Sequence, residues 1–408
     1  MKVLVLNAGS SSIKYQLFLV EEGPEGLCPQ RLGGGLLERV GREDAQLTHR
    51  TGDGRQVRLQ QGVPDHAAGL DWILSLLTHP EYGSLVSLEE LDAVGHRVVH
   101  AGERYTGSVV VTEDVIAALE ECIELAPLHN PPNLAGIYAC RERLPRTPMV
   151  CVFDNALHVT LPAGARFYGL PYEFYERYGI RRYGFHGIAF RSILEQVEQW
   201  TGRPLKELKV VSLMLGSGST ANALRYGQSV EVSTGFTPLE GLLQSTRSGD
   251  LDPAVVAYLM ERENLTPKEM ADLLNRRSGL LGLSGVSSDL RDIQQAAAQG
   301  NPRAQLALEL YVHRCKKYIG AYAAVMGGID VLAFGGGIGE NAWEIRARIC
   351  SGLEFLGLRL DPERNRECVG RAGWISTEDS RVPVLVAKVD EEWVIARDTY
   401  LLVRGMRG

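Results

Sequence analysis

An α/β protein built from two similar halves is what this sequence predicts, and three features of it say so. Short β-branched apolar runs alternate with longer stretches of helical character, the pattern of α/β folds. Three of those runs end in turns rich in Gly and Ser or Asn (Asn7–Ser12, Gly216–Thr220 and Gly335–Asn341), and α/β sheets bind ligands where their strands end. Two strand–turn–strand units, Met1–Val20 and Leu208–Leu224, repeat the same order roughly 200 residues apart.

In chain order, Met1–Leu6 and Ile13–Val20 are β-branch-rich apolar runs around the polar turn Asn7–Ser12. Residues 21–65 are rich in Gly and charge, with a hairpin expected at Arg50-Thr51-Gly52-Asp53-Gly54-Arg55. Leu91–His100 and Met149–Asp154 read as buried strands. Between them, Pro127–Asn133 predicts a rigid loop, because its three prolines deny it regular structure. Leu208–Leu224 turns at Gly216-Ser217-Gly218-Ser219-Thr220. Asp252-Pro253 reads as an N-cap followed by Pro at the first helical position, and Thr266-Pro267-Lys268-Glu269 has capping-box spacing. Asn301-Pro302 opens a long helix reaching about Met326. Val331–Phe334 is then a strand, followed by the turn Gly335–Asn341 and a helix. Val382–Lys388 is the last strand, and a C-terminal helix begins near Asp390.

Composition narrows the function classes. A chain of 408 residues has room for two or three domains and a large core. A net charge of −7 gives no reason to expect a polyanionic partner, so nucleic-acid binding is not expected. The seven Cys are odd in number and form no C-x-x-C, which favours buried thiols over disulfides or a zinc site. No apolar run reaches 18 residues, and the N-terminus turns polar too soon for a signal peptide. A cytoplasmic protein with no membrane partner is the expectation. Gly makes up 45 of 408 residues, about 11% against a usual ~7%.

Each Gly-rich turn could offer backbone N–H groups to a phosphate with no side chain in the way. None has P-loop or dinucleotide spacing. One such turn is more often only a turn; three in one chain favour phosphate sites. Arg97 lies in the segment His96–His100 that follows Gly95, towards the end of an apolar strand, and Thr246-Arg247 follows the Gly241–Ser245 segment. An Arg so placed can grip a carboxylate or phosphate through its planar fork. His186, flanked by Gly and aromatics, and His129, in the Pro-rich loop, are site candidates; His158 is open, and His49, His66, His79 and His313 read as non-site residues. Asp154 closes a strand and Glu391 opens a helix, placements that suit Mg²⁺ with retained waters. For Glu391, complementing the helix dipole serves as well.

Assembled, these segments resemble acetate kinase. The resemblance runs nearly end to end and rests on Asn7-Ala8-Gly9-Ser10-Ser11-Ser12-Ile13-Lys14, Gly95–His100, Leu125–Asn133, Tyr183-Gly184-Phe185-His186-Gly187, Gly235–Gly241 and Gly337–Asn341. It implies two duplicated actin-like ATPase (ribonuclease H-like) domains with an active-site cleft between them, residues 1–155 plus 392–408 forming one lobe and 156–391 the other. It implies a homodimer, Mg²⁺ (or Mn²⁺), and ATP/ADP with a small carboxylate as substrates. By matching position, Asn7, Ser10, Ser12 and Lys14 line the first phosphate turn, and Gly216, Ser217 and Gly218 form the second. Arg97 and Arg247 hold carboxylate and phosphoryl, His186 donates to the phosphoryl with His129 nearby, and Asp154 is an essential acid. Glu391 and Asn7 serve the metal. Val99, Leu128, Phe185 and Pro238 match the pocket for the acid's methyl group, which favours acetate. Asp289, Leu290 and Arg291 match the segment beside the adenosine, and Gly337, Ile338, Gly339 and Asn341 the turn beneath it.

The resemblance has gaps. The pattern His-Leu-Gly-Asn-Gly reads Met214-Leu215-Gly216-Ser217-Gly218 here; Thr-Ser-His after His186-Gly187 reads Ile188-Ala189-Phe190. Asn155, Leu157 and Val159 stand for Thr, Phe and Gln, and Gln244-Ser245 for Met-Gly. These changes gather on the phosphate side. They leave open a propionate or other short-chain carboxylate kinase, a changed phosphoryl donor, and a weakly active nucleotide- or acyl-phosphate-binding relative.

Overall fold

Val3, Leu4, Val5 and Leu6 are all buried, as a strand covered on both faces requires. They belong to β1 (Lys2–Ala8), the strand on which the first of two sheets is organised. The computed structural model describes residues 1–24 and 26–407. It divides into two units, Met1–Ala156 with Asp390–Gly408, and Leu157–Val389.

The first unit holds an eight-stranded sheet of order β5-β4-β3-β2-β1-β6-β8-β7. β2 (Ser12–Gly23), β3 (Gly26–Glu38), β4 (Arg42–Thr51) and β5 (Gln56–Val63) run antiparallel outward from β1. The expected hairpin joins β4 to β5, closed by Thr51 N–H donating to Arg55 C=O at 2.9 Å. On the other side β6 (Ala93–Val98) and β8 (Met149–Phe153) lie parallel, and β7 (Val109–Val110) caps the edge. Helices His66–Leu77 and Asn130–Arg143 pack on each other, and the C-terminal helix Glu391–Arg407 packs on β1, β6 and β8. Gly95 permits the latter approach: a Cβ there would sit 2.4 Å from Thr399 Oγ1 and 2.7 Å from Ile395 Cγ2.

The second unit holds a six-stranded sheet of order β11-β10-β9-β12-β14-β13. β9 (Lys209–Leu215), β10 (Ser219–Arg225) and β11 (Gln228–Val232) are antiparallel, while β12 (Val331–Gly335) and β14 (Val384–Val386) run parallel to β9. β13 (Gly373–Trp374) pairs antiparallel with β14. Both sheets thus contain one core, order 3-2-1-4-5, in which the first three strands are antiparallel and the last two parallel to the first. That shared order is the duplication the two strand–turn–strand runs suggest, and it is the ribonuclease H-like arrangement of actin-type ATPases. Along β9, Val211, Leu213 and Leu215 face the core shared with helix Pro302–Met326. Val210 and Met214 face the opposite cluster with Phe190 and Ile193 of helix Gly187–Thr201.

The capping expectations hold. Asp252 accepts from Ala254 N–H, Thr266 and Glu269 form a reciprocal capping box, and Asn301 caps the helix that ends at Met326. The Pro127–Asn133 segment differs from expectation. A helix starts at Asn130, with Pro131 and Pro132 in its first turn, where no N–H is needed and φ is already helical. A second difference concerns Glu391. Residues 390–408 belong to the first unit, because Asp390 caps the C-terminal helix through Trp393 N–H at 3.0 Å and that helix packs on the first sheet. The turn after β12 is also helical, from Gly336 to Asn341. No described helix is long and apolar enough to cross a membrane.

Candidate active site

The expected site residues fall into two clusters, one in each unit. In the first, Arg97 is the second-last residue of β6 and β8 is followed directly by Asp154, so parallel neighbours deliver a cation and an anion to the same sheet end. Arg97 Nη2 and Nε both donate to Asp154 Oδ2, at 2.6 and 3.0 Å. Glu391 Oε1 stands 3.9 Å from Arg97 Nη2. Burial alone would lower the guanidinium pKa; the charges of Asp154 and Glu391 outweigh it and raise the pKa. Arg97 is therefore a permanent cation whose direction is set by one carboxylate oxygen, and its Nη1 makes no hydrogen bond among the described residues.

Two buried oxygens in this cluster lack hydrogen-bond partners, Asp154 Oδ1 and Glu391 Oε1. Bare carboxylate oxygens are expensive to bury and are what a hard divalent cation takes, directly or through its waters. Among the described residues no group of three or more His, Cys, Asp or Glu gathers as a full metal cage. The donor set therefore fits Mg²⁺, which keeps several waters and needs only one or two carboxylates.

Around this pair, the first Gly-rich turn links Asn7 at the end of β1 to Ser12 at the start of β2. Gly9 N–H donates to Ser12 C=O at 2.8 Å, and Ser10 and Ser11 are exposed. Asn133 ties this turn to the Arg97 strand: its Nδ2 donates to Ala8 C=O at 2.8 Å and its Oδ1 accepts from Val99 N–H at 3.1 Å. Val99 is half-buried and Leu128 is exposed. His129 is the N-cap residue of helix Asn130–Arg143. Lys14 is engaged by Glu392, whose carboxyl is held below its usual range: burial would raise the pKa, but Lys14 outweighs it.

The second cluster centres on His186, which sits at φ +61° just before helix Gly187–Thr201. Its Nδ1 shares a 2.8 Å hydrogen bond with Thr220 Oγ1 on β10. Gly218 leaves the imidazole its space, since a Cβ there would lie 3.0 Å from His186 Cε1. Ser217 C=O accepts from Ser245 N–H at 3.1 Å, joining the second Gly-rich turn to the segment that carries Arg247. Arg247 has no carboxylate in ion-pair range among the described residues, and burial lowers its pKa. Its Nη1 donates to Gln244 Oε1 at 3.3 Å. Phe185 is buried, its N–H held by Thr234 Oγ1 at 2.9 Å, and Pro238 is half-buried in the Gly235–Gly241 loop. That loop is anchored by Glu240, which takes Arg182 Nη2 at 2.6 Å and Tyr168 Oη at 2.5 Å.

The two remaining segments expected beside the nucleotide are in the same unit. A Cβ on Gly216 would lie 3.9 Å from Gly337 N, so the second and third Gly-rich turns adjoin. Gly336 has φ +77°, and a Cβ there would lie 2.6 Å from Leu215 C=O and 3.0 Å from Met214 Sδ, which excludes larger residues. Gly337 and Asn341 are exposed, Ile338 half-buried and Gly339 buried. Arg346 fixes this turn from beneath: fully buried, it donates to Gly339 C=O at 2.7 Å and to Asn365 and Cys368. Asp289 caps helix Leu290–Ala298 with Leu290 buried; Arg291 chelates its carboxyl and brings its pKa to about 2. His158, left open by sequence, is structural: its ring bonds Ser229 Oγ at 2.8 Å and Phe185 C=O at 3.3 Å.

Asn133, Glu240, Arg182, Gln244 and Arg346 support the site without having been marked for a role. Their partners are mostly backbone carbonyls and side chains brought close only by folding; the Arg-to-carbonyl bonds leave no sequence signal.

A family model described as the acetokinase family matches residues 2–397. The chain belongs to the acetokinase family. The acetate kinase of Thermotoga maritima is 51% identical over 405 residues, covering 99% of each chain. That of Desulfitobacterium hafniense is 49% identical over 404 residues, 99% of this chain and all of its own. Among solved structures, Porphyromonas gingivalis acetate kinase superposes with a TM-score of 0.93 at 44% identity, covering 98% of this chain and 99% of that one. A propionate kinase from Francisella tularensis reaches 0.89 at 34% identity over the same shares. An acetokinase membership accounts for both clusters at once.

Proposed function

We propose that this acetokinase-family enzyme transfers the γ-phosphoryl group of ATP reversibly to acetate, giving acetyl phosphate and ADP. A carboxylate oxygen of acetate forms the new bond to the γ-phosphorus as the bond to the β,γ-bridging oxygen breaks. No proton moves, because the acid is ionised at neutral pH and ADP leaves as an anion. Catalysis is therefore positioning and charge neutralisation.

The observation that carries this reading is the Arg97–Asp154 pair. Asp154 uses one oxygen to aim Arg97 and leaves the other bare, so one residue serves the cation and the metal. Arg97 Nη1 holds the acid's carboxylate, and Val99, Leu128, Phe185 and Pro238 cover its methyl group. Arg247 and His186 take the equatorial oxygens of the moving phosphoryl, with His129 beside them. Asn7, Ser10, Ser12 and Lys14, the Gly216–Gly218 turn and the segments at Asp289–Arg291 and Gly337–Asn341 hold the nucleotide. Asp154, Glu391 and Asn7 would hold the metal. When bound, Mg²⁺ neutralises charge on the β- and γ-phosphates. The same reading makes the protein a cytoplasmic homodimer.

The Francisella propionate kinase makes propionate the second candidate acid. A hydroxylamine trap for acyl phosphate separates them, run with acetate, propionate and butyrate against ATP, GTP and pyrophosphate. Acetate with ATP is expected to give the largest kcat/KM. A blank for every pair would refute the enzymatic reading and leave a nucleotide- or acyl-phosphate-binding protein.

A further inference from the structure

We infer that Gln244 is a positioning residue for this reaction, bracing Arg247 and the Pro238 wall of the acid pocket with one buried amide. The inference rests on the function proposed above and adds a residue to it. Gln244 is 1% exposed. Its Nε2 donates to Pro238 C=O at 2.8 Å, and its Oε1 accepts from Arg247 Nη1 at 3.3 Å. The two bonds fix the amide's sense: turned over, it would set NH₂ against a guanidinium and oxygen against a carbonyl. Its backbone is equally engaged, with Gln244 N–H donating to Arg247 C=O at 3.2 Å and Leu280 N–H to Gln244 C=O at 2.9 Å. A Cβ on Gly218 would find Gln244 Oε1 at 3.6 Å and His186 Nε2 at 3.2 Å, so amide and imidazole flank the same glycine of the second phosphate turn.

The choice of amide has a physical reason. A buried guanidinium left alone is held in no single direction, and a carboxylate partner would fix it while cancelling much of its charge. A neutral acceptor fixes direction and leaves the charge for the transferring phosphoryl group. The acetate kinase pattern has Met at this place, which offers neither a donor to Pro238 nor an acceptor of comparable strength to Arg247. The polar brace is this chain's own device, in the turn region where it lacks the pattern's His at Met214.

The test uses the full chain and two near-isosteric variants, Gln244→Met and Gln244→Glu. It reads phosphate affinity by calorimetry with inorganic phosphate, kcat and KM by the acyl-phosphate trap, and thermal midpoint. Losing one hydrogen bond to a charged group predicts about a tenfold fall in kcat and in phosphate affinity for Gln244→Met, with KM for ATP within about twofold. Gln244→Glu adds a negative charge beside the anion site, and its loss is expected to be larger, about 100-fold. A purely structural role would instead move the thermal midpoint of both and leave their phosphate affinities equal. Parental kcat and phosphate affinity in Gln244→Met would overturn the inference, as would a parent that binds no phosphate. If the parent binds phosphate, the variants weaken it in the stated order and no protein makes acyl phosphate, the brace stands and the proposed reaction fails.

Discussion

Asp154 is 2% exposed and shares its charge with Arg97, so each partner holds the other in a place neither would occupy alone. Asp154→Asn keeps the shape but removes the charge that orients the guanidinium and that, on the proposed function, would face the metal. We expect kcat to fall by at least about 10²-fold, with the Mg²⁺ concentration for half-maximal rate shifted upward in steady-state assays. Two other buried groups set the acid limit of stability. Burial pushes the imidazole pKa of His96 down to about 4 and that of His158 to about 3. Unfolded, both titrate near 6.5. Between 6.5 and these values the unfolded chain binds more protons than the folded one, so stability is full above pH 6.5 and falls as pH drops toward 4 and then 3. Thermal midpoints measured from pH 7.5 to 4.5 are expected to fall, and His96→Gln to flatten that slope. Arg97 and Asp154 were legible because each stands at or near the end of an apolar strand, where a charge needs a reason. Gln244 was not, because its partners lie three and six residues away in a loop whose fold no periodicity announces. Arg182 and Arg346 look like ordinary surface cations; carbonyls brought close by folding, with Glu240 for Arg182 and Asn365 for Arg346, make their burial tolerable.

Strand ends and turns place these side chains. The Gly-rich turns are readable because a glycine run after a buried strand has few other uses, and the capping signals at Asp252, Thr266 and Asn301 are local chemistry. The Pro127–Asn133 helix start was misread because the same prolines that forbid a helix interior are welcome in its first turn. Asn133, inside that turn, couples the first Gly-rich turn to the Arg97 strand. Asn133→Ala leaves Val99 N–H and Ala8 C=O without their partner, and should cost about 2–4 kcal/mol in urea unfolding. On β9, alternation sets Met214 on the face of Phe190, so two departures from the acetate kinase pattern, both at pattern histidines, share one apolar cluster. Leu157 packs there as well. This makes the departures a joint repacking of one face. Met214→His alone should raise turnover with ATP by less than Met214→His combined with Phe190→His, and a turnover unchanged in both would show that this turn is not impaired.

At the scale of the molecule, the chain carries one sheet order twice, and each copy carries one of the two clusters of expected site residues. The first unit holds Arg97, Asp154 and Glu391; the second holds His186, Arg247 and the two adjoining glycine turns. Duplication was legible from two strand–turn–strand runs, but of the outer strands β3 to β5 only the Arg50–Arg55 hairpin was, since residues 21–65 are rich in Gly and charge. The proposed reaction draws on residues of both clusters, so a lesion in either is expected to stop transfer even where the other still binds its ligand. The most direct measurement is ³¹P NMR of the full chain with acetate, ATP and Mg²⁺. An acyl-phosphate resonance should grow in step with ADP, and disappear in Arg97→Ala and in Arg247→Ala. ATP that stays intact, ATP split to ADP and inorganic phosphate without acyl phosphate, or undiminished transfer in either arginine variant would contradict the account.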